Sequence, residues 1–206
     1  MQLTGETKLF VGLILATVLI IVIGVVAYSR PEPVLKREEL VNASSHTRGN
    51  LDAKTYLVEF SDYQCPACGT FKPIVDSVVE KYKDKLLFAY RNFPLAQHEF
   101  AEKAAEVAEA AGEQGKYFEM HDYLFANQAN FSDEVYQTGA KKIGLDMDKF
   151  NEALKSGKFK SLIQDDVSYG ALHGVNSTPT FFLNGKKLSL FNQSDLETEV
   201  GKAIGE

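Results

Sequence analysis

The two cysteines of this 206-residue chain stand at positions 65 and 68, between a short apolar run and the start of an amphipathic helix. No other feature constrains the fold as tightly. Tyr56-Leu57-Val58-Glu59-Phe60 reads as a buried strand and residues 62–64 as a turn. Cys65 then opens a helix that carries Phe71, Ile74, Val75, Val78 and Val79 on one face. Pro66 falls at the first helical position, where its missing N–H is harmless. Pro73 is expected to kink the second turn. Sulfur serves no structural staple elsewhere in the chain, so the pair reads as a reversible dithiol.

The remaining pattern places this strand and helix in an α/β layout. Residues 86–91 read as a second strand closed by Pro94, and residues 97–173 as helical almost throughout. Within that block Ala101, Ala104, Ala105, Ala108 and Ala111 form a small-residue face. Glu102, Glu106, Glu109 and Glu113 form the opposite stripe and read as solvated. Ser132 and Asp146 are expected N-caps, and Gly144 and Gly157 expected stops. Residues 158–173 read as one more helix. The β signal returns at Thr180-Phe181-Phe182-Leu183, with Asn184-Gly185 as a hairpin turn and residues 187–190 as the return strand. Ser194 is expected to cap a last helix ending at Ile204.

Residues 9–28 carry no charge, and as a helix they span roughly 30 Å, the thickness of a bilayer core. The run exceeds the apolar core of a cleaved signal peptide, although Ala27 and Ser29 offer a weak cleavage site. It is read as a retained single-pass anchor. Lys8 on the short side against Arg30, Lys36 and Arg37 on the long side favours a cytoplasmic domain. The eight-residue head and the dithiol favour the opposite, a signal-anchor with the domain in an oxidising space, and that orientation is the expectation. Pro31 and Pro33 are expected to end the apolar helix, residues 36–43 to form a short helix, and residues 44–50 a polar lead-in. The predicted organisation is a tail at 1–8, an anchor at 9–28, a juxtamembrane linker at 29–50 and one domain at 51–206 with a helical insertion at about 97–173. The net charge of −6 argues against a nucleic-acid binder.

Disulfide exchange needs one thiol that attacks and one that resolves. At a helix N-terminus, unpaired backbone N–H groups and the helix dipole favour the Cys65 thiolate. Cys68, one turn on, is expected to be the more buried, resolving thiol. A Cys65 pKa of ~5 stabilises the reduced form at pH 7 by roughly 2.7 kcal/mol, which is roughly 60 mV of oxidising power. The intervening Pro66-Ala67 adds no positive charge, so a moderate oxidant is expected. Asp62 is expected to oppose the thiolate unless it points to solvent. Glu59, a carboxylate inside an apolar strand, either points to an edge or pairs with a lysine, or lies beneath the site and accepts the proton of Cys68; the last is the expectation. Pro179 cannot donate a ladder bond and is out of place in a central strand; a cis-proline turn there would offer the backbone of Thr178 to an extended substrate, but an X-Pro bond is trans by default and the residues alone do not support cis.

Val58-Glu59-Phe60-Ser61-Asp62-Tyr63-Gln64-Cys65-Pro66-Ala67-Cys68 resembles the DsbA-like branch of the thioredoxin superfamily, in particular its membrane-anchored bacterial members. Arg91-Asn92-Phe93-Pro94-Leu95, residues 110–116 and residues 174–185 match as well, so the resemblance runs from about Gly49 to the C-terminus. It implies a thioredoxin fold with an inserted helical domain. It also implies Cys65 as nucleophile, Cys68 as resolving thiol, Thr178–Pro179 as the cis-proline loop and Glu59 as the buried glutamate. The chain departs from the enterobacterial type at Ala67, where that type has histidine. Residues 29–50 are too few for the dimerisation domain of the isomerases, which ranks oxidase above isomerase. Implied partners are reduced secreted proteins as substrates and a quinone-linked membrane reoxidase of the DsbB or VKOR kind. A monomer is expected, with no cofactor beyond the Cys65–Cys68 disulfide itself.

Two other readings use the same pair. A metal-binding module would employ C-x-x-C with histidine, yet His46, His98, His121 and His173 show no ligand-like pairing and read as surface or packing residues. A membrane-anchored reductase would run the same chemistry in the other direction.

Overall fold

The computed structural model describes residues 5–28, 33–42 and 45–206, without the side chains of residues 6–8 and 26–28. It contains two compact units, Met1–Pro33 and Val34–Glu206. The first holds α1 (Gly5–Tyr28), a 24-residue helix whose described side chains from Leu9 to Val25 are exposed. Among the described residues no helix is long and apolar enough to cross a membrane. The side chains of residues 26–28, which close the predicted span at its C-terminal end, lie outside that description, as do Pro31, the Ser29 cleavage position and Arg30.

The second unit starts earlier than the predicted boundary at residue 51. Half of the expected linker is folded into it through α2 (Arg37–Leu40), with Leu35 and Leu40 buried. Arg37 donates to the carbonyls of Ala53 at 2.6 Å and Leu51 at 2.7 Å. The lead-in contains a strand, β1 (His46–Gly49). Its polar His-Thr-Arg-Gly text has no alternation to betray it. The strand forms because the next strand but one leaves an open edge for it to pair with.

The sheet is completed by β2 (Thr55–Ser61), β3 (Leu86–Asn92), β4 (Thr180–Leu183) and β5 (Lys186–Lys187), in the order β1-β3-β2-β4-β5. β2 and β3 are parallel; β1, β4 and β5 run antiparallel to their neighbours. The β2–β3 crossover is α3 (Pro66–Lys81), which runs unbroken through Pro73. α4 (Ala101–Gly112), α5 (Tyr117–Ala126), a 3-10 turn at Gln128–Asn130, α6 (Asp133–Lys142), α7 (Met147–Ser156) and α8 (Phe159–Leu172) fill the interval between β3 and β4. α9 (Ser194–Ile204) closes the chain and packs against α3.

β2 is buried along its whole length, so its alternate residues serve two cores. Leu57 joins Leu86, Phe88, Tyr90, Phe181 and residues of α3, α4 and α9 on one face. Tyr56, Val58 and Phe60 join Leu35, Leu87, Ala89 and Phe182 on the other. The β4–β5 turn uses Asn184 at φ 50° and Gly185 at φ +83°, the positive pair a two-residue hairpin requires. A Cβ on Gly185 would stand 2.1 Å from the Leu35 carbonyl oxygen. Ser132, Asp146 and Gly157 cap as expected. Ser194 does not. The Asp195 carboxylate accepts from the N–H groups of Phe191 and Asn192 instead, at 2.9 and 2.8 Å.

The acidic stripe on α4 is the clearest correction in the helical block. Glu106 and Glu109 are each only 4% exposed, because α4 is packed by α5, α6, α7 and α8 and has no solvent side along most of its length. Glu109 accepts from Asn92 Nδ2 at 2.8 Å and pairs with His46 Nε2 at 2.8 Å. His46 itself stacks on Tyr117 with ring centroids 3.5 Å apart. A second buried pair ties α8 to the sheet. Arg91 donates to Asp166 from Nε at 2.7 Å and from Nη2 at 2.6 Å, and its guanidinium lies over the rings of Tyr169 and Phe60. Burial pushes the Asp166 carboxyl up, and Arg91 offsets this only in part. Removing one partner strands a buried charge. Asp166→Ala is therefore expected to cost about 3–5 kcal/mol in denaturant unfolding, and the double change Arg91→Met/Asp166→Leu to cost less than either single one. A single-variant loss under about 1 kcal/mol would show the pair to be unimportant.

Candidate active site

The chain leaves β2 at Ser61 and turns through residues 62–64 before α3 begins. Asp62, 1% exposed, holds that turn. Its carboxylate accepts from the N–H of Gln64 at 2.7 Å and of Leu95 at 2.8 Å, and pairs with His98 Nδ1 at 2.7 Å. The expectation that Asp62 opposes the thiolate unless it points to solvent is thus replaced by a third arrangement, in which a buried carboxylate is engaged by three partners.

Cys65 is the N-cap of α3 with an extended backbone, and Pro66 occupies the first turn. Proline has no N–H, so the unpaired donors nearest the sulfur are those of Ala67 and Cys68. Cys65 and Cys68 are free thiols, 7% and 0% exposed. Cys65 Sγ donates to the Thr178 carbonyl at 3.4 Å. The Thr178–Pro179 bond is cis, as the family resemblance implies. The Thr178 hydroxyl is buried and has no other partner, so it is free to turn toward the sulfur once the thiol ionises.

These surroundings split the two sulfurs. The Cys68 thiol beside it is the largest influence holding the Cys65 pKa down at about 5, from 9.0. The Thr178 hydroxyl and the N–H groups of Cys68 and Ala67 act in the same direction, against burial. Burial pushes the Cys68 thiol strongly up, and its hydrogen bond to Cys65 and the charge of Glu59 push it further. Glu59 lies on the same face of β2 as Leu57 and is 3% exposed. Burial raises its carboxyl to about 7; Ser61 and the Lys72 ammonium oppose the rise, and Asp76 adds to it. Lys72 is held by Asp76 and, at 2.9 Å, by Asp122, which in turn binds Arg48 at 2.6 Å.

The structure thus brings Cys65, Cys68, Glu59, Thr178 and Pro179 to one place, with Pro66 and Ala67 as the first residues of α3. Other residues of the site were not legible. Gln128 Nε2 donates to the carbonyls of Tyr63 at 2.7 Å and Cys65 at 2.8 Å, and Gln64 Oε1 accepts from the Phe100 N–H at 2.7 Å. Both contacts fasten the active-site turn to the helical block. A Cβ on Gly69 would come 2.5 Å from Gln128 Oε1, so the glycine gives that side chain its room. Gln128 lies 63 residues from Cys65, and nothing in its neighbours signals the contact. Among the described residues, no three His, Cys, Asp or Glu side chains are placed to hold a metal ion.

Two titrations follow. Cys65 has a folded pKa below its unfolded one, so its stabilisation of the reduced protein is present at high pH and lost as pH falls through about 5. Alkylation of Cys65 is expected to be half-maximal near that pH, and a midpoint above about 8, the ordinary thiol range, would contradict this environment. Glu59 has the opposite sign. Between 4.5 and about 7 the folded protein holds its proton more tightly, so stability falls as pH rises. Relative to wild type, Glu59→Gln is expected to gain up to about 3 kcal/mol between pH ~4 and pH ~8 in urea unfolding at fixed redox state. A difference flat with pH would mean that Glu59 titrates normally.

The family model Thioredoxin_4, described as thioredoxin, matches residues 42–203. Na(+)/H(+) antiporter NhaA 1 of Mycobacterium sp. (strain KMS) is 40% identical over 164 residues, which cover 77% of this chain and 27% of the antiporter. NhaA 3 of Salinispora tropica is 38% identical over 143 residues, 69% of this chain and 22% of the antiporter. The chain therefore spans about a quarter of the length of these curated relatives. Among solved structures, a thioredoxin-like oxidoreductase from Silicibacter pomeroyi DSS-3 superposes with a TM-score of 0.71 at 25% identity, covering 84% of this chain and 99% of that one. The thiol-disulfide exchange protein alpha-DsbA2 of Wolbachia pipientis gives a TM-score of 0.71 at 24% identity, over 81% of this chain and 91% of that one. By the family-model match over residues 42–203, the chain belongs to the thioredoxin family, with a helical block between β3 and β4.

Proposed function

We propose that this chain is a thiol–disulfide oxidoreductase whose main direction is the oxidation of protein dithiols. One observation carries the reading: two sulfurs one helical turn apart have acidities pushed in opposite directions, Cys65 down to about 5 and Cys68 up. At pH 7 a Cys65 thiolate of that acidity stabilises the reduced enzyme by about 2.7 kcal/mol and makes the disulfide about 60 mV more oxidising. In the forward step a substrate thiolate attacks Cys65 Sγ and the Cys65–Cys68 bond breaks. Cys68 leaves as a thiolate and takes a proton from Glu59. A second substrate thiolate then attacks its neighbour in the mixed disulfide, and Cys65 leaves as the stabilised thiolate. Two electrons pass from substrate to enzyme. The Thr178 backbone beside Cys65 and the Pro179 turn form the edge on which an extended substrate lies.

The uncharged run at residues 9–28 supports anchoring of the domain in the cell membrane by a single pass, with the domain on the extracytoplasmic side. Reduced secreted proteins are then the substrates, and a quinone-linked membrane protein of the DsbB or VKOR kind restores the disulfide. A membrane-impermeant thiol label tests the orientation: Cys65 is expected to react in intact cells, and protection until lysis would place the domain inside. The direction is tested by the reduction potential of the Cys65/Cys68 couple at equilibrium with glutathione. The expected value lies between about −120 and −200 mV, whereas one near about −270 mV, the thioredoxin range, would make the chain a reductase. Cys65→Ser is expected to abolish exchange.

A further inference from the structure

The sheet face beneath Cys68 carries two buried hydroxyls that form no well-aligned hydrogen bond. Ser61 Oγ and Tyr90 OH are each without an aligned hydrogen-bond partner among the described residues, in residues 1% and 2% exposed. An unsatisfied buried hydroxyl costs on the order of 1–3 kcal/mol, so two side by side call for an explanation. Their placement supplies one. Ser61 and Glu59 are two apart on β2 and share a face, and Tyr90 is the β3 residue in register with Glu59. Ser61 forms no well-aligned hydrogen bond, yet it is the hydrogen-bonding neighbour within reach of Glu59, Cys68 and Tyr90 alike. Its hydroxyl neighbours both the resolving thiol and the buried carboxyl.

We propose that the Ser61 hydroxyl relays the proton between the Cys68 thiol and the Glu59 carboxyl, and that Tyr90 is the positioning residue that orients it. The proposal rests on the oxidoreductase reading and adds a residue to it. A serine hydroxyl accepts and donates at once. When Cys68 resolves a mixed disulfide, its S–H bond breaks and the proton passes to Ser61 Oγ. The hydroxyl's own proton passes to a Glu59 oxygen. The Cys68 thiolate attacks Cys65 Sγ, the Cys65–Cys68 bond forms, and the bound thiol leaves as a thiolate with its electron pair. In the opposite direction the same steps protonate the departing Cys68. The groups facing this relay are few. α3 contributes Cys68, Lys72 and Asp76, β3 contributes Tyr90, the turn contributes Tyr63 with His121 bonded to it at 3.1 Å, and β4 faces Glu59 with Phe181 and adds no charge.

A chromogenic aromatic disulfide mixed with the reduced full chain separates the two sulfurs. The first coloured thiolate reports attack by Cys65, and the second reports resolution by Cys68. In wild type the second phase is expected to quicken as pH rises through about 7, where Glu59 ionises. In Ser61→Ala the first phase is expected to be unchanged, and the second to slow about tenfold or more and lose that inflection. Ser61→Thr is expected to restore both, and Tyr90→Phe to slow the second phase less than Ser61→Ala. A second phase in Ser61→Ala with the wild-type rate and pH profile would overturn the relay and leave the oxidoreductase reading standing, as would failure of Ser61→Thr to restore it. Absence of both phases in wild type would overturn the oxidoreductase reading and the relay with it.

Discussion

Two chemically identical thiols, one turn apart on α3, meet opposite surroundings, and the rest of the site depends on that difference. Cys65 at the helix end has N–H donors and the Thr178 hydroxyl to share its charge. Cys68 faces the sheet, where burial and the Glu59 carboxyl make a second charge costly. Each sulfur reinforces the other, since the protonated one donates to the ionised one. Such a pair breaks its disulfide in a fixed order: Cys65, 7% exposed against 0% for Cys68, is the sulfur a substrate thiolate can reach, and Cys68 needs a proton to leave.

The difference survives only if the turn between β2 and α3 holds still, and the helical block supplies that rigidity. Asp62 ties the turn to Leu95 and His98, Gln64 to Phe100, and Gln128 to the carbonyls of Tyr63 and Cys65. The block is itself tied to the sheet by the buried Arg91–Asp166 pair and the Asn92–Glu109 bond. Five helices between β3 and β4 therefore act on the chemistry without contributing a sulfur or a proton acceptor to it.

The strand–turn–helix around the cysteines was legible because each of its signals is local. An apolar run, a proline at the first helical position and a thiol at the cap need no distant partner to be interpreted. The Asn184-Gly185 hairpin and the caps at Ser132 and Asp146 were legible for the same reason. Glu59 stood out because a carboxylate in an apolar strand is costly wherever the strand lies. β1 escaped notice because its pairing with β3, not its composition, makes it a strand. The buried side of α4 escaped because a stripe of glutamates carries no mark of the helices that will cover it.

The order of residues alone was enough to establish the kind of fold, the reactive pair and the carboxyl beneath it. Those follow from spacing, from side-chain chemistry and from the cost of burying charge, which act over a few residues. Folding in three dimensions settled which carboxylates would be enclosed, which groups would hold Asp62, and that Gln128 would reach Cys65 across 63 residues. It also set Ser61 and Tyr90 facing the same carboxyl. These are consequences of packing distant segments against one sheet, and the energy of such contacts depends on partners that no local pattern names.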